Sequence, residues 1–403
     1  MTLPLLVRRS LRQHAFSSAI CVVAIALAGG LLMSVWTLKS GARQAFDDAG
    51  SSFDGVLGAR GSKLQLVLNA VFHLDESPGN VAAEDYESIR RHPAVEIAIP
   101  IALGDNYRGY RIVGTVTNLF TDVEVRPGKL HRVQSPGRWF DSARREAVIG
   151  SVVAHRLGLR LGDIFRPYHG LTFHEDHEHE EEFLVVGVLE PSNTPADRIL
   201  WVPLAGVQHM SGHDPAHATD VSAVLVRFRP QSLAAGQQLD RQYNREGTHL
   251  TFAWPIARIV ASFFDRVAWI EKVLVLVAWL VAVVAAATIL TTLYGSLSER
   301  RRDLAILRAL GAHRRTIFGL LLLEAATLST LGVIGALGVH AVIHAVAGNV
   351  IRAQTGMVLD PLAAGLALVG IAALVIVLGV LAGLAPAVKA YRTEVASHLT
   401  PLA

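Results

Sequence analysis

Hydrophobic positions along this 403-residue chain gather into four long blocks, with stretches of ordinary mixed polarity between them. The blocks run Phe16 to Leu38, Val273 to Leu293, Ile317 to Val346 and Leu362 to Leu384. A bilayer core of about 30 Å needs about 20 apolar residues in helical form. Soluble core helices keep a polar face, and these blocks are apolar all round. The pattern therefore predicts four transmembrane helices. The third block is long enough to tilt or to extend beyond the membrane, and Pro386 predicts the end of the fourth. A signal peptide is the alternative for the first block, because Ala26-Leu27-Ala28 resembles a cleavage site. The apolar run continues through Met33, Val35 and Trp36 to Leu38, longer than a signal sequence requires, so an uncleaved anchor is expected.

Between the first two blocks the pattern changes to that of a folded α/β domain. Alternating or β-branched runs at Val95–Pro100, Tyr110–Val116, Phe183–Leu189 and Ala223–Phe228 predict strands. Ala83–Arg91 and Ser151–Leu157 predict helices, the latter followed by Gly158 and then Gly162-Asp163. Ser135-Pro136-Gly137 and Pro191-Ser192-Asn193 read as turns. Strands on both sides of a long middle stretch suggest two subdomains. The expected fold class is thus a membrane protein with four transmembrane α-helices and a large α/β extracytoplasmic domain. The expected divisions are residues 1–40 with the first span, 41–268 as the outside domain, and 269–403 with the last three spans.

Composition sharpens this picture in three ways. Hydrophobic residues make up 51% of the chain and charged residues 18%, against roughly 25% charged in a soluble domain. A net charge of +3 supplies no electrostatic footprint for nucleic acid. The single cysteine, Cys21, rules out a disulfide framework or a cysteine-based metal knot within one chain.

The basic residues matter through their placement. Arg8, Arg9 and Arg12 precede the first span, and Arg300, Arg301, Arg302, Arg308, Arg314 and Arg315 crowd the loop between spans two and three. Lys389 and Arg392 follow span four. By the positive-inside rule, both termini are expected in the cytoplasm and 41–268 outside it.

The loop after span two carries a second signal. Leu304, Leu307 and Leu310 recur at i, i+3 and i+6 beside Ile306, which predicts a short amphipathic helix over 299–311. Gly311 suits its C-terminal end, and Glu299 and Arg308 complement the helix dipole. Such a helix could hold its arginines against anionic lipid, or it could be a lever that a partner pushes.

The stretch Ser298-Glu299-Arg300-Arg301-Arg302-Asp303-Leu304-Ala305-Ile306-Leu307-Arg308-Ala309-Leu310-Gly311-Ala312 strongly resembles the FtsX/MacB family of ABC-transporter permeases. Leu322-Leu323-Glu324-Ala325 in span three resembles it too, as does the order of one span, a large outside domain and three spans. The resemblance covers about Ile270 to Leu399. Within the outside domain, Gly104-Asp105-Asn106-Tyr107 and Tyr110 to Thr115 are the nearest strings. The resemblance implies an ABC ATPase partner contacted by Glu299, Arg300, Arg301, Arg302, Leu304, Leu307, Arg308 and Leu310. It also implies a second permease copy in a homodimer, ATP and magnesium held on the partner, and a place in the bacterial inner membrane. The function implied is mechanotransmission, in which hydrolysis moves the outside domain to export or extract cargo. FtsX-like control of an extracytoplasmic or periplasmic partner, and metal-linked transport or sensing, are the alternatives.

No enzymatic chemistry is expected of the chain itself. A P-loop needs G-x-x-x-x-G-K-[ST], and the sole Gly-Lys pair, Gly128-Lys129, lacks both the upstream glycine and the following hydroxyl. Neither HExxH nor G-x-S-x-G occurs.

The histidines are the remaining candidate chemistry. His174, His177 and His179, with His169 near, sit among acidic residues including Asp176 and Glu180 to Glu182. Imidazoles and carboxylates are zinc ligands, so this run is a candidate loose zinc site; the plainer reading is a solvated acidic loop. His209, His213 and His217 share a four-residue spacing that Gly212 and Pro215 interrupt. His340 and His344 share a face of span three and are expected to make interfacial polar contacts. Gly332, Gly335, Gly338, Gly379 and Gly383 are expected where helices approach closely.

Overall fold

The computed structural model describes residues 3–126, 128–170, 173, 178–211, 218–232, 234–299, 306, 312–360 and 365–392. Among them, four helices are long and apolar enough to cross a membrane: Ala15–Gly50, Ile256–Gly295, Arg314–Thr355 and Gly365–Arg392. The second continues as helix to Glu299. Each is longer than the apolar block that announced it, because helix propagation does not stop where lipid stops. The chain divides into two compact units, one of residues 1–41, 268–347 and 360–403, the other of 42–267 and 348–359.

The first unit is a helical bundle. Its core holds Cys21, Ile25, Ala28, Ala285, Ile289, Leu293, Ala325 and Leu328. Large apolar side chains such as Val283, Val369 and Leu366 point outward, as a lipid-facing surface requires. The expectation that Pro386 ends the fourth helix is corrected. The helix passes through it to Arg392, and Pro386 is buried. The proline removes one backbone donor, a loss that packed transmembrane helices tolerate.

The second unit is built on a ten-stranded sheet. Its strands in chain order are β1 (Gly55–Ala59), β2 (Val95–Tyr107), β3 (Tyr110–Thr115), β6 (Glu146–Ile149), β7 (Ile164–Phe165), β8 (Tyr168–His169), β9 (Phe183–Val188), β10 (Leu200–Pro203), β11 (Ala223–Phe228) and β12 (Leu250–Ala253). A separate ribbon pairs β4 (Glu124–Arg126) with β5 (Lys129–Leu130). The main order is β12-β1-β11-β2-β3-β10-β6-β9-β7, with β8 also on β2.

The long strand β2 serves two subdomains. Its first half, from Val95 to Ile101, pairs with β11, and its second half, from Ala102 to Tyr107, pairs with β3. One core, with Leu57, Val224, Leu239 and Phe252, lies by the first half. Another, with Ala102, Ile112, Phe165 and Phe183, lies by the second. The four strand and two helix segments expected from the sequence are all present, with helices Ala83–Arg90 and Ser151–Leu157. Gly158 ends the latter at φ 71°, the left-handed geometry expected past a helix C-terminus.

The largest core of this unit also takes residues from two of the long helices. Phe46 and Ala49 of Ala15–Gly50, and Ile256, Ile259 and Val260 of Ile256–Glu299, pack there. Phe46 lies 4.6 Å from Phe72 and 5.4 Å from Phe264, centroid to centroid.

Candidate functional site

Of the residues expected at an ATPase contact, Glu299 is the last residue of the second long helix. Arg300, Arg301, Arg302, Leu304, Leu307, Arg308 and Leu310 lie outside the described residues. Ile306 is helical and exposed.

Within the bundle, buried polar groups bind helices together. The Ser10 hydroxyl donates to Glu324 Oε1 at 2.5 Å, both residues being buried. Ser34 donates to the Gly30 carbonyl at 2.7 Å and meets His340 Nδ1 at 3.2 Å. His340 and His344 are both buried, with ring centroids 5.8 Å apart. Four of the five glycines singled out do sit at close approaches. A Cβ on Gly332 would lie 2.5 Å from Ile25, on Gly335 2.8 Å from Ala26, and on Gly383 2.6 Å from Ala325. Gly379 abuts Ser329 still more closely, while Gly338 has open space.

A second constellation lies in the outside domain, where β2 meets β8. The β2–β3 hairpin closes through Arg108-Gly109, both at positive φ, 48° and 82°, the two-residue turn whose twist suits a hairpin. The register slips between Leu103 and Asp105, a bulge that re-aims the following side chains. Asp105 then pairs with His169, and Asn106 with Tyr168. The Asn106 amide donates to the Gly170 carbonyl at 2.8 Å and its oxygen accepts from Gly109 N at 3.0 Å, which fixes the turn beyond β8. His179 N donates to the Pro167 carbonyl at 2.8 Å, and Glu178 bridges to Tyr168.

This backbone frame brings three side chains together. His179 Nε2 is 3.2 Å from Asp105 Oδ1, and His169 Nδ1 is 3.4 Å from the same oxygen. One donor atom from each of Asp105, His169 and His179 lies within 4.8 Å of the others. Asp105 is fully buried and His179 nearly so, whereas the His169 side chain is 56% exposed. The hydrogen bond that the Asp105 carboxylate accepts from it holds the His179 imidazole pKa above its ordinary value against the opposing pull of burial. Glu181, also buried, accepts from both the backbone N and the hydroxyl of Ser211 at 2.9 Å. The Ser211 backbone in turn hydrogen-bonds His179.

The histidine run is therefore only partly visible. His179 and His169 converge, while His174 and His177 lie outside the described residues, as do His213 and His217. His209 makes a local contact to the Ala205 carbonyl at 2.9 Å. Asp105 was missed as a ligand candidate. Its signal was a polar Asp-Asn pair near the end of a mostly apolar strand.

Comparison with known proteins follows the same division of the chain. The FtsX-like permease C-terminal family matches residues 275–395, and the MacB-like periplasmic core domain family matches 18–241. The periplasmic region of MacB from Actinobacillus actinomycetemcomitans is similar at 12% identity and a TM-score of 0.36, covering 54% of this chain and 94% of that one. The extracellular domain of the noncanonic ABC-type transporter YknZ from Gram-positive bacteria is similar at 19% identity and a TM-score of 0.31, covering 49% and 98%. No curated protein matches the chain. With a periplasmic core match over more than half the chain and a permease match following it, this multi-pass membrane protein belongs to the MacB/FtsX-type family of ABC-transporter permeases.

Proposed function

We propose that the chain is the membrane subunit of an ABC system in which a separate ATPase moves the outside domain, so that hydrolysis is converted into mechanical work on extracytoplasmic cargo. ATP and magnesium are held by the partner, and two permease copies face two ATPases. Both termini are cytoplasmic and residues 41–268 extracytoplasmic, in keeping with the basic clusters beside the spans.

The observation that carries this reading is helix continuity. One helix runs 44 residues without a break from Ile256, packed in the outside domain's core, to Glu299 at the start of the arginine-rich segment. At about 1.5 Å per residue it is about 66 Å long, roughly twice a bilayer core. A hydrogen-bonded helix of this kind transmits displacement along its axis without needing a substrate channel.

The test is at the far end of that helix. In this reading Leu307 and Leu310 enter a groove of the ATPase, and burying a leucine is worth about 1.5–3 kcal/mol. Leu307→Asp should weaken co-purification of the ATPase more than about tenfold while membrane insertion is unchanged. Full assembly and stimulated hydrolysis with the Leu307→Asp/Leu310→Asp double variant would remove the lever from consideration.

A further inference from the structure

We propose that Asp105, His169 and His179 form a binding site for a divalent cation of the zinc class. The site goes beyond the permease reading and stands or falls independently of it.

The first argument is that backbone pairing, and not mutual attraction of the side chains, sets the cluster. Asp105 and His169 are register partners across β2 and β8. His179 is delivered by its own main-chain bond to Pro167 and by the bridge of Glu178 to Tyr168. A preformed set of donors is what a selective metal site needs.

Two of the three donor separations suit a metal, the third lying within 4.8 Å. Zinc bonds of about 2.0–2.2 Å to nitrogen and oxygen give a tetrahedron whose donor-to-donor edges are about 3.3–3.5 Å. The two edges to Asp105 Oδ1 are 3.2 and 3.4 Å. An N–H···O hydrogen bond is ordinarily about 2.7–3.2 Å, so the His169 contact is long for one. It is the right length for two ligands sharing an ion.

Charge and donor type agree. A divalent cation would pair with the buried Asp105 carboxylate and take neutral imidazoles, in place of the hydrogen bond that Asp105 accepts from His179. Two nitrogens and one oxygen suit zinc, whereas calcium and magnesium prefer all-oxygen shells. The three ligands among the described residues leave a fourth position for water or a further donor. The exposed His169 edge supplies the way in.

An outer shell is also present. Glu181 holds Ser211 through two hydrogen bonds, and Ser211 holds the His179 ring. Metal-bound imidazoles characteristically have such a partner, which fixes the tautomer and the ring orientation. Glu181 is thus a positioning residue.

The experiment uses the full-length, tag-free protein in detergent, stripped of metal and titrated with zinc against a chromophoric chelator. One ion per chain is expected. Asp105→Asn, His169→Ala and His179→Ala should each lose about 100-fold or more in affinity, and Glu181→Gln about tenfold. His174→Ala/His177→Ala should bind within about threefold of wild type, since neither residue is one of the three ligands proposed. Asp105→Asn is isosteric, and an unchanged thermal transition without zinc, together with loss of the zinc-induced upward shift, would separate lost binding from lost folding. Cobalt substitution gives a fold-independent readout on the wild type, whose visible spectrum should be the intense one of a four-coordinate ion. Wild-type affinity in Asp105→Asn, loss of binding in His174→Ala/His177→Ala, or a six-coordinate cobalt spectrum would each overturn the assignment.

Discussion

Gly379 packs against Ser329 so closely that a Cβ at 379 would occupy the space of the serine hydroxyl. One turn on, Gly383 faces Ala325 in the same way, at 2.6 Å. Small residues four apart on each of two helices thus form one seam, and Ser329 satisfies its hydroxyl on its own helix, through the Ala325 carbonyl at 2.8 Å. Gly379→Val should therefore force the two helices apart. Overpacking costs about 1–3 kcal/mol in ordinary cores, and a main-chain seam has less room to relax. Gly338→Val is the control, because nothing lies within 4 Å of a Cβ there. Thermal unfolding in detergent should show a lower transition for the first and little change for the second; equal transitions would mean the seam carries no stability.

The four spans were legible because 20 apolar residues in a row have few other homes. Their helical ends were not, since residues such as Phe46 and Ala49 belong to a soluble core and carry no lipid signature. The strands found were the longer ones, through alternating or β-branched runs. The strands β1, β6, β10 and β12 are short and buried at every position, so they show no period to read. The histidine-rich run includes His179 and has His169 near it, and the fold brings both to Asp105. Asp105 could not be placed beside them, because its pairing with β8 depends on a bulge and a turn rather than on adjacency in sequence.

Topology has a direct test. Ser142 and Ser298 are both exposed in the structure. Placed singly as cysteine in a Cys21→Ala background, position 142 should react with an impermeant thiol reagent on intact cells, and position 298 only after the membrane is opened. The reverse pattern would invert the proposed orientation.

Acid should weaken the outside domain through Glu146. Its carboxylate accepts two bonds from Arg138, at 2.6 and 2.7 Å, and one from Asp141 N at 3.0 Å. The Arg138 bonds, opposed by burial, hold its pKa down to about 2. The unfolded value is about 4.3. A depressed carboxylate contributes stability that is whole above the unfolded value and is lost as pH falls from about 4.3 toward 2. Glu146→Gln should lower the transition at neutral pH yet flatten that acid limb. A variant as acid-sensitive as the wild type would place the titration elsewhere.

His73 should act over a higher range. Its half-buried ring packs edge-on to Trp201 at 5.5 Å, and its Nδ1, shut off from solvent, has no partner among the described residues. Burial, helped by the positive charge of Arg111, pushes its pKa from 6.5 to about 3. Between those values the unfolded chain binds a proton that the folded chain refuses, so the unfolded state binds more protons and stability rises with pH. The contribution is whole above about 6.5 and drains away as pH falls toward 3, by up to about 1.4 kcal/mol per pH unit. His131, lowered to about 4 by burial alone, adds an effect of the same sign. The backbone at residue 73 has φ 53°, so the replacement must tolerate a left-handed conformation, which asparagine does. His73→Asn should be less stable at pH 8, having lost the contact with Trp201, worth about 0.5–1.5 kcal/mol. Its disadvantage should shrink steadily as pH drops from about 6.5, because asparagine has no proton to take up on unfolding. Parallel stability curves for variant and wild type between pH 8 and about 4.5 would show that the imidazole is not held neutral.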